Sequence, residues 1–300
     1  MDEEERDDEA AAETEQELSC PYCGETVAIS VDIDASRLPF AETNGRQSTT
    51  LELQHLATDV NHKIYPRHRH VATLDLAGND RSGKQVRVVS EFDVPKGRYQ
   101  VRVAAASGAE KGSVVYDVEV PDFSAPLTMS GVSLASRLET NTLVLQAGAL
   151  KRQKTKAKQC RDSRCEPTVT YDGRLIAWGA ADAKSDPPVV PIAPTTIRDF
   201  SPDDTLAIYV ELYEGNKRAS AAPHTLLVDA ELRRVSGEVV RTVSDMVASS
   251  TLARESGGRP FTLSVPLAGT SPGTYVIYVQ GWSDANSEQV VTRSVPIRVR

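Results

Sequence analysis

The chain has no uninterrupted apolar run near the roughly 18 to 20 residues that a membrane-spanning helix needs, which excludes a helical membrane span. Its N-terminus lacks the basic and then apolar pattern of a secretory signal. As written, the chain is therefore expected to be neither exported nor inserted, and to be cytoplasmic. A basic surplus is missing too: 34 Lys and Arg stand against 42 Asp and Glu, a net charge of −8. Nine acids between Asp2 and Glu15 face Arg6 alone, so this tail carries the whole imbalance and the remainder is neutral. General nucleic-acid affinity depends on neutralising phosphates, and this balance does not supply it. Signatures of catalysis are also lacking. There is no GxSxG elbow, no GxxxxGKS/T phosphate loop, no GxGxxG after a strand and no HExxH helix. The five histidines (His55, His62, His68, His70, His224) have no recognisable serine or cysteine partner pattern. The chain reads as non-enzymatic.

Long segments of helical periodicity are absent outside the tail, and what remains is β-type. The acidic residues 1–18 have nothing to bury and are expected to be disordered. From Val27, the apolar residues Val27, Ile29, Val31 and Ile33 alternate with Ala28, Ser30, Asp32 and Asp34, which puts one set on a core face. Further alternating runs follow at Thr50–Gln54, His70–Leu76, Gln85–Val89, Tyr99–Val103 and Val114–Val120, a spacing that fits sandwich strands.

Two internal matches suggest a duplication. Ser82–Glu91 (SGKQVRVVSE) reads almost in register with Ser236–Asp245 (SGEVVRTVSD), and Pro95–Val103 (PKGRYQVRV) is echoed by Pro272–Val279 (PGTYVIYV). In the second motif Pro fixes φ entering a turn, Gly permits unusual φ within it, and Tyr opens a strand, as in the tyrosine corner of sandwich domains. The expected fold is all-β: two tandem antiparallel immunoglobulin- or fibronectin-III-like sandwiches, with Tyr99 and Tyr275 at equivalent places. Their expected extents are 19–122 and 123–300, the second carrying a basic and proline-rich insertion at about 149–195. Within that insertion, Lys151–Arg164 reads as a solvated basic loop, Asp172-Gly173 as a hairpin turn, and Pro187–Pro191 as an extended connector. Asp203-Asp204, directly after Ser201-Pro202, reads as a turn before the strand Leu206–Leu212 rather than as an acid–base pair.

Gly97–Val103, Gly112–Phe123, Met129–Val132 and Phe200–Ala207 resemble the C-terminal β-sandwich region of bacterial von Willebrand factor A-related domain proteins, a likeness covering roughly residues 28–300. The resemblance implies a structural or interaction role. It does not bring the family's metal-ion-dependent adhesion site, because no DxSxS motif occurs here.

The cysteines give one metal candidate. Cys20-Pro21-Tyr22-Cys23-Gly24 is a CPxCG knuckle, half of a zinc ribbon, and it resembles the opening of short CPXCG cysteine-rich proteins. Tetrahedral zinc needs four ligands, and Cys160 and Cys165 are the remaining cysteines. A four-cysteine zinc site (Cys20, Cys23, Cys160, Cys165), a vestigial knuckle and redox pairing of either couple all stay open. His68 and His70, on one face of a strand beside Arg67 and Arg69, read as an exposed polar face. Two functions are weighed: a module of two sandwiches that binds a protein partner, and a zinc-binding regulatory or nucleic-acid-associated protein using the knuckle and the basic loop.

Overall fold

The computed structural model describes residues 25–43, 46–76, 84–139, 142–147, 151–154, 169–177, 191–215, 222–251 and 257–300. Among them the chain is almost entirely strand, with one 3-10 turn at Ala35–Arg37. The all-β expectation holds, and the strands gather around two separate cores.

The first core lies inside a ten-stranded sheet. Its chain-order strands are β1 (Glu25–Asp34), β2 (Ala41–Thr43), β3 (Arg46–Asp59), β4 (Arg67–Leu76), β5 (Gln85–Val94), β6 (Gly97–Ser107) and β7 (Glu110–Val120). After two short strands described below, β10 (Thr142–Ala147), β11 (Lys151–Lys154) and β12 (Val169–Ala177) return to it. The spatial order is β1-β5-β10-β12-β4-β3-β6-β7, with β2 and β11 attached to β3 and β12. Period-two burial makes these segments strands. In β3, Leu51, Leu53, His55 and Ala57 point inward while Glu52 and Gln54 lie outside them, so one face joins the core and the other meets solvent.

The second core fills the space between two sheets. One comprises β13 (Asp199–Phe200), β15 (Thr225–Arg234), β16 (Val239–Ala248), β18 (Gly273–Ser283) and β19 (Asn286–Val299), in the order β13-β19-β18-β15-β16. The other pairs β14 (Thr205–Tyr213) with β17 (Arg259–Pro266), β8 (Thr128–Met129) and β9 (Ser133–Ser136). Leu206, Ile208, Val210 and Leu212 of β14 meet Leu226, Val228, Ala230 and Leu232 of β15 in this core, all of them fully buried. At about 25 cal/mol per Å² of apolar surface removed from water, such residues dominate the driving force for folding.

The two units share a pairing plan. β1–β5 corresponds to β14–β17, and the antiparallel run β4–β3–β6–β7 corresponds to β16–β15–β18–β19. Tyr99 and Tyr275 are each the third residue of equivalent strands, β6 and β18. Both rings are buried, and each hydroxyl donates to the carbonyl four residues upstream, Tyr99 to Pro95 at 2.6 Å and Tyr275 to Ser271 at 2.7 Å. Gly97 adopts φ +150°, and a Cβ there would stand 3.5 Å from the Tyr99 hydroxyl. Tyr99→Phe and Tyr275→Phe should each cost about 1 kcal/mol, the net worth of one hydrogen bond, and by similar amounts. Urea midpoints of the two variants check this; a cost at only one site would mean that the corners are not equivalent in energy.

Five expectations are corrected. The first unit is not a purely antiparallel sandwich, because β10 pairs with β5 in parallel, β12 pairs with β4 in parallel, and β10–β12 bridges what would be two sheets. Segment 149–195, expected as an insertion of the second sandwich, instead supplies β11 and β12 to the first sheet. Lys151–Lys154, expected in a loop, pairs with β12, and Asp172-Gly173 is no turn: β12 runs straight through it, with Lys151 opposite Asp172 and Gly173 opposite His70. A strand flanked on both sides has its backbone groups fixed by its neighbours, which overrides the turn preference of that pair. Finally, the Ser82–Glu91 and Ser236–Asp245 match falls on β5 and β16, which are not equivalent strands in the pairing plan.

Candidate functional site

The β3–β4 ladder sets His55 directly opposite His68, while His70 stands opposite Leu53. Period two turns His68 and His70 to the same side as His55, which is the inside. They are buried, at 1 %, 8 % and 0 % exposure for His55, His68 and His70. The exposed polar face expected for His68 and His70 is therefore corrected. Arg67 and Arg69 take the outer face, where the Arg69 guanidinium pairs with Glu52 at 2.6 Å. A guanidinium has no tolerable unpaired place in a core, so the arginines decide which way the histidines point.

The rings of His55 and His68 stack with centroids 4.8 Å apart, and His55 and His70 with centroids 5.6 Å apart. Phe92 of β5 covers them, 5.3 Å from His55. Ser90, also on β5, places its hydroxyl between two rings, 2.8 Å from His55 Nε2 and 2.9 Å from His70 Nε2. The Nδ1 atoms of His55 and His70 are buried without a hydrogen-bond partner. Burial pushes the His55 imidazole well below its usual range, and burial brings His68 and His70 down to about 4. All three rings are thus neutral near pH 7, each with a lone pair on one nitrogen. One ligand nitrogen from each lies within 4.8 Å of the others. His55 was the member missed on sequence grounds, although its parity with Leu51, Leu53 and Ala57 places it on the core face.

A second feature lies at the ends of the ten-stranded sheet. Because β1 and β7 are its terminal strands, the curled sheet leaves a seam between them. A groove of about 450 Å³ runs there, lined by Val31, Ile33, Leu51, Val103 and Val114 among others. Along β7 nearly every residue is exposed, with Val114 at 60 %, Val115 at 46 % and Tyr116 at 74 %, so both faces of the strand meet solvent.

The remaining candidates resolve separately. Cys20, Cys23, Cys160 and Cys165 lie outside the described residues, as do Pro187–Val190. Asp204 is a buried turn carboxylate, accepting from Ser136 Oγ at 2.5 Å and from the Thr205 and Arg137 amides at 2.7 and 3.1 Å. Its role is to fix the entry to β14, as the turn reading expected. The buried His224 side chain puts Nδ1 2.9 Å from the Ala222 carbonyl and Nε2 2.8 Å from Glu214 Oε1. Both partners only accept, so the ring is held as an imidazolium.

The Ala222 carbonyl bond, and then Glu214, raise the His224 imidazole above its usual 6.5 against the opposing effect of burial. A raised folded-state value means that this contribution to stability is full below pH 6.5 and fades as pH rises through the elevated value. Urea midpoints of the native chain and of His224→Gln should accordingly differ most below pH 6.5 and converge only as pH rises past the raised value. A gap that stays constant with pH would show that the pairing does not depend on the imidazolium.

No family model matches the chain, and no curated protein matches it. Among solved structures, pT26-6p aligns over 92% of this chain and 61% of its own length, at 8% identity and a TM-score of 0.18.

Proposed function

We propose that the chain is a non-enzymatic protein-interaction module whose first unit offers a sheet edge to an extended segment of a partner protein. The observation that carries this reading is β7. An edge strand leaves a row of backbone N–H and C=O groups without a ladder partner, and a peptide added alongside satisfies them. Soluble proteins usually blunt such edges with charge. In β7 the charges sit toward the ends, at Glu110, Lys111, Asp117 and Glu119, while Val114, Val115 and Tyr116 occupy the middle. The adjoining groove between β7 and β1 provides apolar depth for every second side chain of an added strand. The likeness of Gly97–Val103 and Gly112–Phe123 to the sandwich region of von Willebrand factor A-related proteins supports the same reading. The zinc-regulatory alternative depended on four cysteines outside the described residues and on a basic loop part of which forms β11, so no observation favours it.

The test is a selection of displayed random peptides on the full chain, repeated on Val115→Lys/Tyr116→Lys. Both positions are exposed, so the variant should unfold at the same temperature as the native chain. Selected sequences with alternating apolar residues that bind the native chain and lose at least tenfold on the variant support the reading. Equal binding to both, or no selected binder, overturns it.

A further inference from the structure

We propose that His55, His68 and His70 form a binding site for a divalent transition-metal ion of zinc-like chemistry, held in the core of the first unit by β3 and β4. Glu211, buried between the Tyr209 and Tyr213 hydroxyls, is a satisfied carboxylate, and the Arg87 cluster is fully occupied by its own carboxylates. Among the described residues, the histidine cluster combines ligand chemistry, convergence and the unpartnered Nδ1 atoms of His55 and His70.

Each part of that combination bears on metal binding. Imidazole nitrogen suits zinc and its neighbours. The three ligand nitrogens lie within 4.8 Å of one another. Around a tetrahedral zinc with Zn–N of about 2.0–2.1 Å they would be about 3.3 Å apart, so closure asks each ring to move by roughly 1 Å. Directly opposed and next-but-one positions on an antiparallel pair are close enough for such small side-chain rotations, with the backbone ladder held in place.

Ser90 supplies the orientation that metal-ligating histidines commonly receive from a second group. A single hydroxyl has one proton, so in the metal-free pair it donates to one of His55 Nε2 and His70 Nε2 and accepts from the other. One ring is then protonated on Nδ1 and the other bare there, and in either state a buried Nδ1 is left unpaired on both. A bound ion would take the lone pair of one ring nitrogen on each residue and so satisfy a buried atom for which no protein partner is present. Buried polar atoms without a partner are uncommon in native folds, and an absent ion is one of the standard explanations.

The site is independent of the interaction reading: it lies inside the first core, and the β7 edge lies at the end of the sheet. Its physical effect is to tie β3 to β4 and to add binding free energy to the folded state.

The experiment uses the full chain with Cys20, Cys23, Cys160 and Cys165 all changed to serine, stripped with a chelator, so that thiolates cannot account for any binding. Titration with cobalt(II), then zinc(II), is followed by ligand-field absorption and by the unfolding temperature. The expected result is one tightly bound equivalent, a tetrahedral-type cobalt spectrum, displacement by zinc and a raised unfolding temperature. His70→Gln and His55→Gln should each weaken binding at least tenfold. Because a core substitution can unfold the chain, Ser90→Ala provides a second reading; it should weaken binding about tenfold, in the range expected when an orienting group is removed. No bound equivalent in the cysteine-free chain overturns the proposal, and so does binding that survives in a folded histidine variant.

Discussion

Arg87→Ala is expected to destabilise the protein by about 3–5 kcal/mol. The Arg87 side chain is 2 % exposed. Its Nε and Nη2 donate to Asp32 at 2.7 and 2.9 Å, and its Nη1 and Nη2 to Glu139 at 2.7 and 2.6 Å. Nη2 also donates to Thr195 Oγ1 at 2.9 Å. Burial alone would favour the neutral guanidine, but the hydrogen bonds and charges of the two carboxylates outweigh it and hold the proton more tightly than usual. Removing the guanidinium leaves two carboxylates facing each other with little water, which costs more than the native pairs gained. Arg87→Lys should recover only part of the loss, since an ammonium lacks the planar fork that engages both carboxylates. Urea unfolding checks the magnitude. A cost as small as that of removing a surface arginine would contradict the electrostatic account.

This cluster also shows what local patterns do not reveal. Asp32 alternates with Val31 and Ile33 in β1, so its outward turn was legible, and all the alternating runs from Thr50 to Val120 fall within strands β3 to β7. The Pro-Gly-Tyr turns were equally readable, because a tyrosine corner is built from neighbours in sequence and Tyr99 and Tyr275 each bond four residues back. Arg87 bonding to Glu139 and Thr195 was not readable, since its partners lie 52 and 108 residues away. The same holds for β10 and β12, whose parallel pairing with β5 and β4 depends on the chain leaving the first unit for β8 and β9 and then returning. Parallel strands need long connections, and the period of a strand carries no record of its neighbour. The match of Ser82–Glu91 with Ser236–Asp245 misled for a related reason: two strands of similar alternation look alike wherever the fold puts them.

For the histidine cluster the sequence carries the parity but not its sign. His68 and His70 must share a face, and Arg67 and Arg69 must share the other; either pair could have been placed outward by composition alone. Glu52 on the neighbouring strand settles it, because it offers Arg69 a partner on the solvent side and leaves the imidazoles inside with His55. Neutral imidazoles can be buried at modest cost, whereas unpaired guanidinium groups cannot.

Gly215→Ala should destabilise the protein by about 3 kcal/mol, although its backbone is not in a conformation reserved for glycine. A Cβ at this position would lie 2.2 Å from the Ser124 carbonyl oxygen, 2.7 Å from that of Ala125 and 3.0 Å from the Ser124 carbonyl carbon. All three are backbone atoms, so no flexible side-chain end can swing aside. The segment that carries them is itself pinned. Asp122 accepts from the Ser124 amide at 3.0 Å and from Ser124 Oγ at 2.5 Å, and its carbonyl receives the Ala125 amide at 3.1 Å. Gly215 in turn donates its own amide to the Ala125 carbonyl at 3.0 Å, and Phe123 rests against Tyr213 with ring centroids 4.2 Å apart. An added methyl therefore has to break the amide bond, lift Phe123 from Tyr213, or both, at the crossing where the chain leaves β7 for β8. Gly131→Ala is the control, because a Cβ there meets nothing within 4 Å and should change stability by less than about 0.5 kcal/mol. Thermal and urea unfolding of the two variants checks the contrast. If Gly215→Ala proved as mild as Gly131→Ala, the crossing would have to be able to move away from β14, and the close approach of the Ser124 and Ala125 carbonyls would not be part of what holds the two units to their connection.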